Sequence, residues 1–209
     1  MPLEELLSEI ARQTGLKQLP FNAGCSDDRI RKLEAAVQAK LPDNYGAFLR
    51  TRNGQSDKHA LTFPPDQIVF LSDAEVAALW KELQDYRDDQ FFDELQDGDH
   101  VRAVLYHPGR IPIAQNESAT AYLCLDFVPG PKGRAGQLVF NVNETDCVVV
   151  ENSVSDLVGR YLSLLKSGKA KVENRPKDRG QGYWFTAGGR YIDWKVYSEL
   201  KGDAQKKKK

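Results

Sequence analysis

A change of hydrophobic period near residue 101 is the feature that most restricts the fold of this chain. Before that point, apolar residues recur at helical spacing, beginning with a predicted amphipathic helix over residues 3–13. After it come five β-type runs with short connections: VRAVLY, IPIA, TAYLCLDF, GQLVFNV and CVVVEN. Short connections favour antiparallel neighbours, because a parallel crossover needs about a dozen residues or more. This order predicts an α+β fold rather than repeated βαβ units.

Local signals mark the ends of the other elements. A second helix is predicted to start at Ser26, a capping residue, and a third within LPDNYGAFLRTRNG (41–54). IVFL (68–71) is a short strand candidate. The helix predicted over 72–87 opens with Ser and Glu at the spacing of a capping box.

The C-terminal quarter is predicted to be an extension of a single domain. Residues 1–168 form that domain, which closes with a helix over 153–168. Residues 169–182 are polar and contain glycine and proline, so they predict a linker. YWFTAGGRYIDW (183–194) predicts an aromatic hairpin turning at its Ala-Gly-Gly step, and the final lysines predict a solvated tail ending the 169–209 extension.

Charge is unevenly distributed along the chain, although its formal sum is −1. Residues 1–165 hold 16 Lys/Arg and 25 Asp/Glu, whereas residues 166–209 hold 13 and 5. An acidic body repels nucleic acid and favours basic protein partners. In the basic extension, aromatic rings could stack on bases with Arg179 and Arg190 on phosphates. Packing of the hairpin on the domain or on a partner is the favoured interpretation.

The densest acidic stretch is DYRDDQFFDELQDGDH (85–100), in which a single arginine opposes seven carboxylates. These are Asp85, Asp88, Asp89, Asp93, Glu94, Asp97 and Asp99. The stretch lacks the glycine and glutamate positions of a calcium-binding loop. It is either a solvated face or a patch that attracts a basic protein, with Phe91 and Phe92 as apolar anchors or as core residues. We take the seven carboxylates as the candidate partner-binding residues.

No catalytic or metal-binding pattern accompanies this stretch. His59, His100 and His107 lack HExxH spacing, and three cysteines without short spacing indicate neither a disulfide framework nor a zinc site. Cys124 and Asp126 are the residues that a hydrolase could use. A cysteine inside an apolar strand is more often a small buried hydrophobe, and an aspartate at a strand end more often fixes the following turn.

Cofactor and membrane binding are not indicated either. GPKGRAGQ (130–137) lacks the Gly-Lys-Ser/Thr of a phosphate-binding loop and leads into a strand, so it predicts a strand connection. The N-terminus has no signal-peptide pattern, and no apolar run approaches the roughly 20 residues of a membrane span. A cytoplasmic protein without cofactor or metal is expected.

Four of these motifs, in this order, resemble the SUKH superfamily, which is named in part for a yeast cell-wall-synthesis regulator. They are LPDNYGAFLRTRNG, FLSDAEVAALW, IPIA…YLCLDF…GQLVF and VVVENSVSDLVGRYL, and the resemblance covers roughly residues 24–167. The family usually has a Gly-Asp pair just before the LCLD run. Thr120 and Ala121 stand there in this chain, whereas Asp126 is retained.

The resemblance implies one α+β domain with a central, mainly antiparallel sheet and flanking helices. It also implies a non-enzymatic immunity protein, since bacterial members mostly bind and block a toxin of the same or a rival strain. Many such toxins act on nucleic acids and are basic because they contact phosphates, so an acidic immunity protein would complement them. We therefore predict a protein that is monomeric in a complex with a cognate toxin. The alternatives are a regulatory interaction module and a hydrolase using Cys124 or Asp126.

Overall fold

The computed structural model describes residues 2–87, 91–142, 145–176 and 182–206, and side chains up to residue 202. The helices are α1 (Leu3–Thr14), α2 (Asp27–Ala36), α3 (Asp43–Thr51), α4 (Asp73–Leu83), α5 (Val154–Lys166) and α6 (Trp194–Lys206). The strands are β1 (Phe21–Ala23), β2 (Arg52–Gln55), β3 (Leu61–Thr62), β4 (Ile68–Phe70), β5 (Arg110–Asn116), β6 (Tyr122–Asp126), β7 (Gln137–Val142), β8 (Asp146–Glu151), β9 (Lys171–Asn174), β10 (Tyr183–Ala187) and β11 (Arg190–Tyr191). The predicted α+β class is confirmed.

Strands β4 to β8 form one antiparallel sheet in sequential order. Alternate residues of a strand point to opposite faces, and the two faces of this sheet bury different partners. Leu138 and Phe140 point into the main core, beneath a layer that includes α1, α3 and α5. Val139, between them, points to the other face and belongs with Cys147 to a smaller cluster.

One predicted strand is wrong. VRAVLY (101–106) does not join the sheet, and only Val101 forms isolated bridges, with Gln96 and with Pro129. Its place as a fifth strand is taken by β4, from the IVFL run. The apolar residues of VRAVLY lie on the second face instead, where Val101 and Leu105 pack into the smaller cluster.

The capping signals correctly located two helix starts. The Ser26 hydroxyl accepts a hydrogen bond from Arg29 N (3.4 Å), and Ser72 with Glu75 forms a complete capping box at α4. The third helix is shorter than predicted, because it ends at Thr51 and Asn53-Gly54 lies in β2. Gly54 has φ +68°, and a Cβ there would lie 2.3 Å from Ser72 N, so this strand needs a residue without a side chain.

A buried polar group ties α2 and β2 to the start of α4. The Asp73 carboxylate accepts hydrogen bonds from Arg29 Nε (2.8 Å) and Nη2 (2.5 Å) and from Asn53 Nδ2 (2.8 Å). Asn53 Oδ1 in turn accepts from Asp73 N (2.8 Å). Burial alone would raise the pKa of Asp73, but the hydrogen bonds from Arg29 and Asn53 outweigh burial and hold the pKa below 3.8.

This arrangement predicts a pH-dependent difference between the wild type and Asp73→Asn. At pH 7 we expect the variant to have a free energy of unfolding lower by about 1–2 kcal/mol, because Arg29 is half-exposed and its contribution is screened. A carboxyl whose pKa is lowered by folding stabilises the protein above its ordinary pKa, and this contribution is lost as the pH falls through the folded value. Denaturant unfolding from pH 7 to pH 2.5 should therefore show the difference shrinking below about pH 3.8. A constant difference would contradict the prediction.

The C-terminal extension contains more structure than predicted. The hairpin is confirmed, with Thr186 opposite Tyr191 and with Gly188 and Gly189 at φ +58° and +75°. The linker prediction is wrong over 171–174, where β9 pairs with β10. The last helix, α6, was not predicted. Residues 207–209 of the predicted tail, and Arg179, lie outside the described residues.

The extension packs into the domain rather than beside it. Strand β10 runs parallel to β3, with Tyr183 opposite Leu61. Five of its apolar side chains are buried in the main core: Ala170, Val172, Phe185, Ile192 and Tyr197. The guanidinium of Arg175, which is also in the extension, donates hydrogen bonds to Glu117 Oε2 (2.7 Å) and Thr62 Oγ1 (2.8 Å) of the domain. The domain boundary at residue 168 stays a prediction, although removing the extension would take these groups from the core.

Candidate protein-binding surface

Residues 91–108, here called the covering segment, lie over the second face of the sheet. Backbone hydrogen bonds fold the segment on itself, since Phe91 N and Phe92 N both donate to Ala103 O (2.8 and 3.1 Å). Its end is held by Trp80 of α4, whose Nε1 donates to Pro108 O (2.9 Å). Hydrogen bonds therefore fix the segment both where it begins, at Phe91 and Phe92, and where it ends, at Pro108.

A buried network at one end of the sheet anchors the segment. Arg110 begins β5, Asp126 ends β6 and Gln137 begins β7, so antiparallel register places the three side by side. Asp126 is fully buried and lies 3.5 Å from Arg110 Nε, while Gln137 Nε2 donates to Asp126 Oδ2 (3.0 Å). Gln137 also donates to His100 O (2.9 Å), which lies in the covering segment.

Arg110 supplies the remaining anchors. Its Nη2 donates to Arg102 O (3.0 Å), and its Nη1 donates to Val104 O. These two carbonyls belong to the run predicted as a strand, so the guanidinium takes up acceptors that a neighbouring strand would have bonded. The register of three sheet strands thus fixes the position of a segment that is not itself in the sheet.

The two candidate catalytic residues are enclosed by this structure. Asp126 Oδ1 accepts a hydrogen bond from Val128 N (3.1 Å), which confirms the prediction that Asp126 fixes the turn after its strand. Burial raises the pKa of the Cys124 thiol to about 12, and of Cys147 to about 11, so neither forms a thiolate near neutral pH. The crevice that Cys124 and Cys147 line has a volume of about 10 Å³, room for about one water molecule.

The histidines occupy turns or exposed positions, as expected. His107 Nδ1 accepts from Gly109 N (2.9 Å), His100 Nδ1 bonds to Asp97 O (2.8 Å), and His59 lies 3.3 Å from Glu117. Among the described residues, no group of three or more His, Cys, Asp or Glu is arranged to hold a metal ion. None of the helices described is both long and apolar enough to cross a membrane.

The seven candidate carboxylates do not form one uniform patch. Asp97 Oδ2 accepts from Val149 N (2.9 Å) at the edge strand β8, and Asp99 lies 3.0 Å from Lys132. These two residues therefore help to hold the covering segment in place. Asp85, Asp93 and Glu94 are exposed, and no ion pair within the described residues neutralises them. Asp88 and Asp89 lie outside the described residues.

Exposed apolar side chains accompany the exposed carboxylates. Within the described chain, the large apolar residues that are strongly exposed are Tyr86 (62%), Phe91 (40%) and Leu95 (40%). Tyr106 joins two of them, because its ring centroid lies 6.0 Å from that of Tyr86 and 6.4 Å from that of Phe91. Phe92 instead packs against the smaller cluster. Phe91 is thus available as an anchor, which stays a prediction, whereas the alternative of core packing fits Phe92.

We refer to this region as the acidic–aromatic surface. It consists of Asp85, Tyr86, Phe91, Asp93, Glu94, Leu95 and Tyr106. Tyr86, Leu95 and Tyr106 were not among the residues predicted from the sequence. An apolar residue inside an acidic run was a signal for the first two, but the contact of Tyr106 with the run depends on the fold of the covering segment.

Comparison with known proteins agrees with this fold. A sequence model of the SMI1 / KNR4 family (SUKH-1) matches residues 24–160, from just after β1 into α5. No curated protein matches the chain. The family match covers more than half of the 209 residues and contains the whole central sheet and the covering segment. The chain therefore belongs to the SMI1 / KNR4 family (SUKH-1).

Proposed function

We propose that this chain is a non-enzymatic immunity protein, which neutralises a cognate toxin by binding it in a 1:1 complex in the cytoplasm. Membership of the SUKH-1 family supports an immunity role. The observation that carries the proposal is the acidic–aromatic surface, because the strongly exposed large apolar side chains of the described chain, Tyr86, Phe91 and Leu95, all belong to the acidic stretch 85–100. No comparable feature supports catalysis by Cys124 or Asp126, which are both enclosed.

The composition of this surface suits protein binding. Aromatic residues contribute most of the binding energy at many interfaces, and surrounding polar residues exclude water from them. Exposed carboxylates accelerate association with a basic partner and disfavour acidic ones. The partner we propose is therefore a basic toxin, such as a nuclease or another enzyme that acts on nucleic acids.

Of the seven carboxylates, Asp85, Asp93 and Glu94 are proposed to face the toxin directly. Asp97 and Asp99 contribute by holding the covering segment, through β8 and Lys132. Asp88 and Asp89 stay candidates on sequence grounds alone, since they belong to the same acidic stretch.

Affinity purification of the tagged full-length chain from its own cells, followed by mass spectrometry, tests the proposal. We expect one co-purifying toxin domain at 1:1 stoichiometry, and co-expression of the chain should restore growth to cells that produce this domain. A stoichiometric partner that is not toxic would instead favour a regulatory interaction module. Turnover of a substrate by the purified chain, without toxin binding, would overturn the proposal.

A further inference from the structure

We infer that the acidic–aromatic surface recognises an arginine side chain of its protein partner, with the guanidinium stacked on the exposed ring of Tyr86, beside Tyr106 and Phe91, and hydrogen-bonded to the flanking carboxylates. This inference rests on the proposed function and specifies the chemistry of its binding surface. Such recognition requires exposed ring faces, carboxylates beside them that no ion pair neutralises, and a surface that is ordered before the partner binds.

The rings form a continuous aromatic ridge. Tyr86 and Tyr106 meet at an interplanar angle of 52°, and Phe91 meets Tyr106 at 75°, so neighbouring ring faces point in different directions. Tyr86 keeps 62% of its surface in contact with solvent, and Phe91 keeps 40%. Faces of aromatic rings attract cations, by about 0.5–1 kcal/mol at exposed sites and more when water is excluded.

Charge at the ridge selects for a cation over a neutral side chain. Asp85 precedes Tyr86 directly, and Asp93 and Glu94 follow Phe91 by two and three residues. All three carboxylates are exposed. A planar guanidinium can stack on a ring and still direct its edge N–H groups to a carboxylate, whereas the ammonium of lysine is a strongly hydrated point charge. Arginine therefore fits this combination better than lysine.

Hydrogen bonds and packing support the part of the ridge that lies on the covering segment. Phe91 N is hydrogen-bonded to Ala103 O, and Tyr106 lies between Leu105, a member of the smaller cluster, and His107, whose ring bonds to Gly109. The Arg110–Asp126–Gln137 network holds the carbonyls of the same segment. A surface ordered before binding loses less conformational entropy on complex formation.

Nuclear magnetic resonance titration of the full-length chain can test this chemistry without the toxin. The probes are three short peptides of glycine and serine that carry two arginines, two lysines or two citrullines at the same positions. We expect the arginine peptide to shift the amide signals of residues 85–87 and 91–106, and to bind about fivefold more tightly than the lysine peptide. Citrulline keeps the planar group without its charge, so its peptide should bind most weakly.

Matched variants separate ring, charge and nonspecific effects. Tyr86→Ala should weaken binding of the arginine peptide about threefold to tenfold, whereas Tyr86→Phe keeps the ring and should bind like the wild type. Glu94→Gln should weaken binding about twofold, but Glu199→Gln, an exposed site on α6, should have no effect. Tyr86 and Glu94 are exposed, so these substitutions are not expected to unfold the chain.

The inference is overturned if the arginine and lysine peptides bind equally well and Tyr86→Ala makes no difference, because binding would then be only a general response to charge. Its failure can be distinguished from failure of the proposed function. If a toxin co-purifies and Tyr86→Ala leaves its affinity unchanged, the function stands and the arginine contact is wrong. If the peptides behave as expected but no toxin is found, the surface chemistry stands and the immunity role is wrong.

Discussion

Phe185→Ala is expected to lower the free energy of unfolding by about 3–5 kcal/mol. Phe185 lies on β10 in the C-terminal extension, is 3% exposed and contacts two core rings, with centroids 5.3 Å from Phe63 and 5.7 Å from Tyr161. Truncating it would leave a cavity beside Phe63 and Tyr161. The expected loss is large, because folded domains are typically stable by only about 5–15 kcal/mol. Urea unfolding followed by circular dichroism measures the loss.

The control is Lys195→Ala, an exposed site in the same extension, for which a change within about 0.5 kcal/mol is expected. If Phe185→Ala costs less than about 1 kcal/mol, the extension contributes little to the core, and the boundary predicted at residue 168 gains support. If the cost is as large as expected, truncation at residue 168 cannot test partner binding, because loss of binding would reflect loss of folding. Point substitutions on the hairpin surface are then the better test of whether the extension contributes to partner binding.

Asp126→Ala is the second substitution with a large expected effect, a loss of about 3–5 kcal/mol. The variant would leave the guanidinium of Arg110, which is 4% exposed, buried without its carboxylate. It would also remove acceptors from Val128 N and Gln137 Nε2. Removing one partner of a buried pair is costly because the other charge stays in a poorly solvated place.

Two further variants test this explanation for Asp126. Asp126→Asn keeps an acceptor oxygen of similar size and should lose less stability than Asp126→Ala. The double variant Arg110→Met/Asp126→Leu removes both charges and should recover part of the loss. A double variant less stable than Asp126→Ala would show that the hydrogen bonds of Arg110 to the segment matter more than the charge pair.

Hydrogen exchange of backbone amides shows whether the covering segment stays in place in Asp126→Ala. In Asp126→Ala we expect faster exchange of Phe91, Phe92 and Val101 amides, because Gln137 and Arg110 lose the carboxylate that orients them toward the covering segment. Unchanged protection of these amides would mean that packing of Val101 and Leu105 alone holds the segment.

Patterns that depend on neighbouring residues were predicted well. The apolar faces of α1, α3 and α5 are buried as their helical spacing indicated, and Ser26 and Ser72 cap the helices where expected. The short connections between the β-type runs of β5 to β8 likewise predicted the antiparallel sheet. These signals are local, because a cap or a buried stripe is set by residues within one or two turns.

Predictions failed where the same local pattern permits two packing arrangements. VRAVLY has the composition of a strand, but the sheet edge was occupied by β4, and Arg110 took the carbonyls of Arg102 and Val104. The polar stretch 169–182 resembled a linker, yet β9 gains hydrogen bonds from β10, which itself lies beside β3. Packing partners outside each stretch decided both outcomes: β4 and Arg110 for VRAVLY, and β10 with β3 for β9.

The sequence by itself determined the α+β class, the family resemblance and the acidic stretch, since each depends on residue types and short spacings. The tertiary structure alone decided which parts of that stretch are exposed. Folding against the second face of the sheet partly buried Phe92, turned Phe91 outward and brought Tyr106 between Phe91 and Tyr86. Exposure and contact between distant residues are properties of the packed chain, so the candidate binding surface could be recognised only after its support had been placed.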